Sequence, residues 1–101
     1  DMRVLRDGGI ELRPDSQSVH VDGGPVDLTA REFDLLAFFL AHPQRVYSRE
    51  ELLEQVWGWK FGDLSTVTVH IKRLRGKLGD GHRIETVWGR GYAWARTDPG
   101  S

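Results

Sequence analysis

The chain has 101 residues, 39% of them hydrophobic, with four Trp, four Phe and two Tyr, and a formal net charge of −1. That length fits one compact domain, and that apolar content builds a core rather than a disordered chain. The chain has no Cys, which excludes a disulfide scaffold, Cys-ligated zinc and thiol catalysis; no secretory signal is visible and no apolar run approaches the ~18 residues of a membrane helix, so a cytoplasmic domain is expected.

Residues 3–28 read as four short strands, roughly 3–6, 10–13, 18–21 and 25–28. Apolar residues alternate in Ile10/Leu12, Val19/Val21 and Val26/Leu28, the period of a half-buried strand. Gly8-Gly9, Pro14-Asp15-Ser16 and Asp22-Gly23-Gly24 supply the turns, so an antiparallel sheet is predicted.

The period then changes. In "LTAREFDLLAFFLAHP", Thr29 and Glu32 form a capping box, Phe33, Leu36, Ala37 and Leu40 share one helical face, and Leu35, Phe38 and Phe39 widen it. Pro43 marks the end. "SREELLEQVW" repeats the device: Ser48 and Glu51 make the box, and Leu52, Leu53 and Val56 face inward. The loop "GWKFGDL" follows, in which Trp59 and Phe61 are expected to be exposed and in need of a partner.

A third helix is predicted over "STVTVHIKRLRGKL", residues 65–78. At about 100° per residue, Val67, Ile71, Leu74 and Leu78 fall on one narrow arc, the core stripe. Thr66, Val69, His70, Arg73 and Lys77 fall on a second arc, with Lys72 at its far flank and Arg75 opposite the core. Gly76 costs about 1 kcal/mol against Ala in a helix interior, which either a close backbone approach or early fraying would explain. The closing stretch "RIETVWGRGYAWAR" reads as a hairpin, with Gly89 and Gly91 permitting positive φ and Tyr92 and Trp94 packing it on the core. "DPGS", residues 98–101, reads as a flexible tail behind a domain of residues 1–97.

Charge is distributed unevenly. Residues 1–62 carry 7 basic and 11 acidic side chains, whereas residues 63–101 carry 7 basic and 4 acidic. A basic face on an acidic chain points to nucleic acid, because binding needs only local complementarity. The third helix has suitable side chains: Arg pairs with guanine O6 and N7, Thr and Val touch the thymine methyl, and Lys and His bind phosphate. The competing reading is a basic, solvated face, or a protein-interaction module without DNA binding that uses Trp59 and Phe61 as anchors.

Other chemistry finds no support. His20, His42, His70 and His82 have no metal-site spacing, and no cofactor is implied. Glu50, Glu51 and Glu54 lie in the first turns of a capped helix, where carboxylates favour the dipole, rather than forming an acid/base pair. "GRGY" precedes no helix and so makes no phosphate loop. An enzyme is not expected.

The pieces "LTxxEFxLL", "VHIKRLRxKL" and "TVxGxGY", in this order and spacing, closely resemble the winged-helix effector domain of OmpR/PhoB-family bacterial response regulators, over about residues 4–96. The resemblance implies an α+β winged helix-turn-helix: a four-stranded antiparallel sheet, three helices and a β-hairpin wing. It implies a DNA-binding transcription regulator of a two-component system. The third helix would enter the major groove through Thr66, Val69, His70, Arg73 and Lys77, with Lys72 and Trp57 on phosphate. Arg90 in the wing would reach the minor groove. Trp59, Lys60, Phe61 and Asp63 would lie on a loop facing RNA polymerase or a neighbouring subunit. A receiver domain normally precedes such a domain, and members often bind paired half-sites as homodimers. Ser65, Thr68, Gly76 and Trp88 depart from the family pattern. Ser65 and Trp88 stand where basic residues are frequent, which implies fewer phosphate contacts and a shallower salt dependence.

Overall fold

The computed structural model describes residues 4–97. The expected strand start at residue 3 and the tail of residues 98–101 lie outside the described residues. Four strands, β1 (Leu5–Asp7), β2 (Ile10–Arg13), β3 (Ser18–Val21) and β4 (Gly24–Val26), form an antiparallel sheet in sequence order. The register places Leu5, Leu12, Val19 and Val26 in one cross-strand row and Asp7, Ile10 and Val21 in the next. Both rows face the core: Ile10, Leu12 and Val19 are buried, and Leu5, Val21 and Val26 pack against them. The outer face carries a charged cross-strand group, in which Glu11 pairs with Arg6 and Arg13, both at 3.0 Å. The last strand ends two residues earlier than its alternation suggested.

Helix α1 (Ala30–Ala41) starts at Thr29 with the capping box complete: Thr29 Oγ1 accepts from Glu32 N, and Glu32 Oε1 accepts from Thr29 N. Phe33, Leu35, Leu36 and Phe39 are buried on it. Helix α2 (Arg49–Leu52) has the second box, between Ser48 and Glu51. A regular helix was expected through Trp57, but residues Leu53–Trp57 form a π-helical turn. Its end explains the widening: Gly58 turns left-handed at φ 77°, and Trp59 N reaches back to Leu53 O at 3.2 Å, a six-residue span.

Helix α3 (Ser65–Leu78) buries Val67, Ile71, Leu74 and Leu78, the expected stripe. It runs unbroken past Gly76, and a Cβ there would meet nothing within 4 Å, so neither fraying nor a close backbone approach within the domain accounts for this glycine. Strands β5 (Ile84–Val87) and β6 (Gly91–Trp94) form the hairpin, with Arg90 N bonded to Val87 O across the turn. Gly89 (φ 76°) and Gly91 (φ 141°) both have positive φ. Gly91 has a further reason to lack a side chain, since a Cβ would stand 2.0 Å from Tyr47 O.

Two polar ties cross the fold. Trp94 is fully buried and donates through Nε1 to Asp7 Oδ2 at 2.5 Å, while Thr97 N donates to the same carboxylate at 3.0 and 3.1 Å. The sheet and the hairpin are thereby joined across almost the whole chain. The second tie is a Glu32–Lys77 ion pair between α1 and α3 at 2.6 Å.

Candidate nucleic-acid interface

The apolar stripe fixes which side of α3 faces out. Val69 is 42% exposed, Lys72 and Arg73 are exposed, and Thr66 and His70 are half-buried at the edge. Neither Lys72 nor Arg73 forms an ion pair among the described residues. His70 Nδ1 donates to Thr66 O at 2.8 Å, which fixes the ring on the helix and leaves Nε2 as its remaining polar atom.

Trp57, which the resemblance associates with phosphate, is only 8% exposed. The His70 ring meets it edge to face with centroids 5.0 Å apart, and the Arg31 guanidinium lies 5.7 Å from its centroid. Trp57 thus supports His70 and offers little more than an edge to a ligand.

Lys77 lies on the expected arc but its ammonium is turned to Glu32, a residue 1% exposed. Burial pushes the Glu32 carboxyl up, but the Lys77 ammonium and the Thr29 N–H and hydroxyl outweigh it and hold the carboxyl below its usual range. The sequence reading placed Lys77 among the groove contacts because the helical wheel gives its direction but not its partner. Arg75, expected opposite the core, lies against the wing. Its Nη2 donates to Ile84 O and to Thr86 Oγ1, both at 2.9 Å, and its guanidinium lies 5.7 Å from the centroid of the Tyr92 ring.

At the wing tip Arg90 and Trp88 are exposed, Trp88 at 89%. A cleft of about 420 Å³ separates the wing from the start of α2, lined by Arg49 and Glu50 on one side and residues 86–92 on the other. Arg49 is exposed, and its Nη1 lies 3.5 Å from Thr68 Oγ1 of α3. Sequence reasoning missed Arg49, because it read "SREELLEQVW" as a purely structural helix. Its position directly after the Ser48 cap was the available signal, since a helix start packed beside α3 shares an exposed edge with it.

The loop of residues 58–64 holds Trp59 (49% exposed), Phe61 (91%) and exposed Lys60. Beside it a cleft of about 350 Å³ is lined by Glu50, Leu53, Lys60, Phe61, Gly62 and Leu64. Asp63 differs from its loop neighbours. Its Oδ1 accepts from Ser65 N at 2.9 Å, which holds the carboxyl below its usual range and braces the first turn of α3. Among the described residues no group of three or more His, Asp or Glu is arranged to hold a metal, and no helix is long and apolar enough to cross a membrane.

A three-helix core with an outward-facing third helix, flanked by a β-hairpin, defines a winged-helix domain. A family profile described as "Transcriptional regulatory protein, C terminal" matches residues 23–94, and the chain belongs to this OmpR/PhoB-type family. It is 53% identical over 81 residues to the uncharacterised transcriptional regulatory protein YclJ of Bacillus subtilis, covering 76% of this chain and 36% of YclJ. It is 44% identical over 89 residues to the transcriptional regulatory protein SrrA of Staphylococcus aureus, covering 82% of this chain and 37% of SrrA. The chain therefore spans just over a third of these relatives. Among solved structures, the RstA DNA-binding domain of Klebsiella pneumoniae in complex with the RstA box superposes with a TM-score of 0.84 at 31% identity, covering 92% of this chain and 97% of that one. The DNA-binding domain of CpxR from E. coli gives a TM-score of 0.83 at 34% identity, covering 95% and 99%.

Proposed function

We propose that this domain binds double-stranded DNA sequence-specifically as the effector part of a two-component transcription regulator, with α3 in the major groove and the wing in the adjacent minor groove. The observation that carries this is the outward face of α3, where Val69, Lys72 and Arg73 stand exposed and the two cations have no ion-pair partner among the described residues. Arg73 reads a base, Lys72 and Arg49 hold phosphate, and Val69 and Thr66 touch the groove edge, with His70 positioned by Trp57. Arg90 enters the minor groove, where a narrow A·T-rich segment has the strongest negative potential. The RstA domain crystallised with its DNA box supports the reading by analogy. On the same reading the domain works in the cytoplasm without catalysis, follows a receiver domain in the full protein, and assembles as a homodimer on paired half-sites. The exposed Trp59, Lys60 and Phe61 would face RNA polymerase.

Selection of bound sequences from a random duplex library, followed by titration of the winner against salt, tests this. The expected result is one enriched motif whose binding weakens steeply as salt rises. No enrichment, with binding instead to a protein partner through Trp59 and Phe61, would favour the interaction-module reading.

A further inference from the structure

The geometry points to Arg75 as a positioning residue that sets the wing against the recognition helix, so that α3 and the wing tip meet DNA as one rigid surface. The functional consequence rests on the DNA-binding reading above, whereas the clamp itself does not.

Arg75 lies on neither the core stripe nor the exposed groove-facing arc. One nitrogen, Nη2, donates to both Ile84 O and Thr86 Oγ1 of β5, each at 2.9 Å. The guanidinium carbon also lies over the ring of Tyr92 on β6, 5.7 Å from its centroid. One side chain of α3 thus touches both strands of the hairpin. Its Nε is buried and has no hydrogen-bond partner among the described residues, so the half-buried side chain is turned into the junction rather than held out to a ligand.

Ile84 and Trp94, buried at the base of the hairpin, and the Trp94–Asp7 bond anchor that end, while Arg75 reaches Thr86 nearer the tip and so bears on its angle. β6 is fastened to the chain between α1 and α2: Tyr47 and Tyr92 exchange backbone hydrogen bonds at 2.8 and 2.9 Å, and Gln44 N donates to Trp94 O at 2.8 Å. β5 pairs with β6 on one side and meets Arg75 from α3. A two-stranded hairpin is marginal by itself, so its external bonds set its orientation. Charge-assisted bonds are roughly twice as strong as neutral ones, and the planar fork suits two acceptors and an aromatic face at once. Lysine would keep the charge and lose the plane.

The test compares Arg75→Met, Arg75→Lys and Thr86→Val with the unaltered domain, by amide hydrogen exchange of the free protein and by DNA binding. In Arg75→Met the amides of β5 and β6 should exchange about tenfold faster while those of α1 stay unchanged, with smaller shifts of the same sign in the other two variants. On duplexes differing only in the flank, the preference for A·T over G·C should fall about threefold or more in Arg75→Met, with discrimination at the central bases kept. In an Arg90→Ala background the same change should have no further effect on flank preference. Unaltered wing exchange overturns the proposal. So does an equal loss on every duplex with a salt slope lower by about 1, which would make Arg75 a phosphate contact. If Arg75→Met does not fold, Arg75→Lys and Thr86→Val decide, and wing exchange unchanged in both refutes the clamp. If the unaltered domain binds no duplex, the DNA reading fails while the exchange measurement still judges the clamp.

Discussion

Lys72 and Arg73, in the middle of α3, are exposed and unpaired among the described residues, whereas Arg75 and Lys77, one turn on, are bound to the wing and to Glu32. All four look alike in sequence. The middle pair is available to a ligand, and the end pair holds the domain together. A count of basic residues therefore overstates the number of free cationic side chains this helix can bring to phosphate, and the salt dependence of binding should reflect the smaller number.

The sharpest way to break this contrast is to remove Arg73 and Lys77 in turn. Arg73→Ala should cost about 1–3 kcal/mol on the preferred duplex and little on random DNA, with unfolding unchanged. Lys77→Met should do the reverse. It strands a buried carboxylate and should cost about 2–3 kcal/mol in urea unfolding, with little change in salt slope. If Lys77→Met instead weakens binding and leaves stability intact, Lys77 belongs with the middle pair.

Acid sharpens the same point. The native Glu32 carboxyl titrates below its unfolded value, so its contribution to stability is present above about pH 4.5 and is lost as pH falls through the depressed native value. Lys77→Met should flatten that part of the stability–pH curve. An equal acid loss with and without Lys77 would place its origin elsewhere.

Lys72→Ala should weaken all duplexes alike and lower the salt slope by about 1, with base preference kept. A changed base preference at constant slope would move Lys72 from phosphate to base reading.

A smaller effect is expected at Gly76, which lies between Arg75 and Lys77. The site is open and helical, so Gly76→Ala should stabilise the domain by about 0.5–1 kcal/mol in thermal or urea unfolding. If DNA binding then drops, the missing side chain makes room for DNA.

The smallest effect should come from His82, beside the Arg75 clamp. Burial first, then the Arg75 and Arg83 guanidiniums, hold this imidazole below its usual value, against the opposing pull of Asp80. Its Nδ1 accepts from Ile84 N at 3.1 Å, a bond the protonated ring cannot keep. The unfolded state then takes up the proton more readily, so stability is full above about pH 6.5 and falls as pH drops toward the native value. His82→Gln should reduce that fall between pH 7.5 and 5.5, and an identical fall in the variant would clear His82 of any part in it.

The sequence alone determined the elements that depend on near neighbours. The capping boxes at Thr29 and Ser48, the buried stripe of α3, the alternation of the first strands and the glycine hairpin all follow from spacings of two to four residues, because backbone geometry repeats over that range. It also determined that Val69, Lys72 and Arg73 face outward, since the apolar stripe leaves that side uncovered. Only the tertiary structure decided what each long side chain meets. Glu32 reads as a capping residue, but 45 positions later Lys77 becomes its partner. Nothing near Asp7 in the sequence marks it, but it receives the Trp94 indole from 87 positions away. Arg75 reads as exposed until the wing folds over it. Flexible side chains of this length have many rotamers of similar energy, and which one wins depends on an acceptor that another part of the chain supplies.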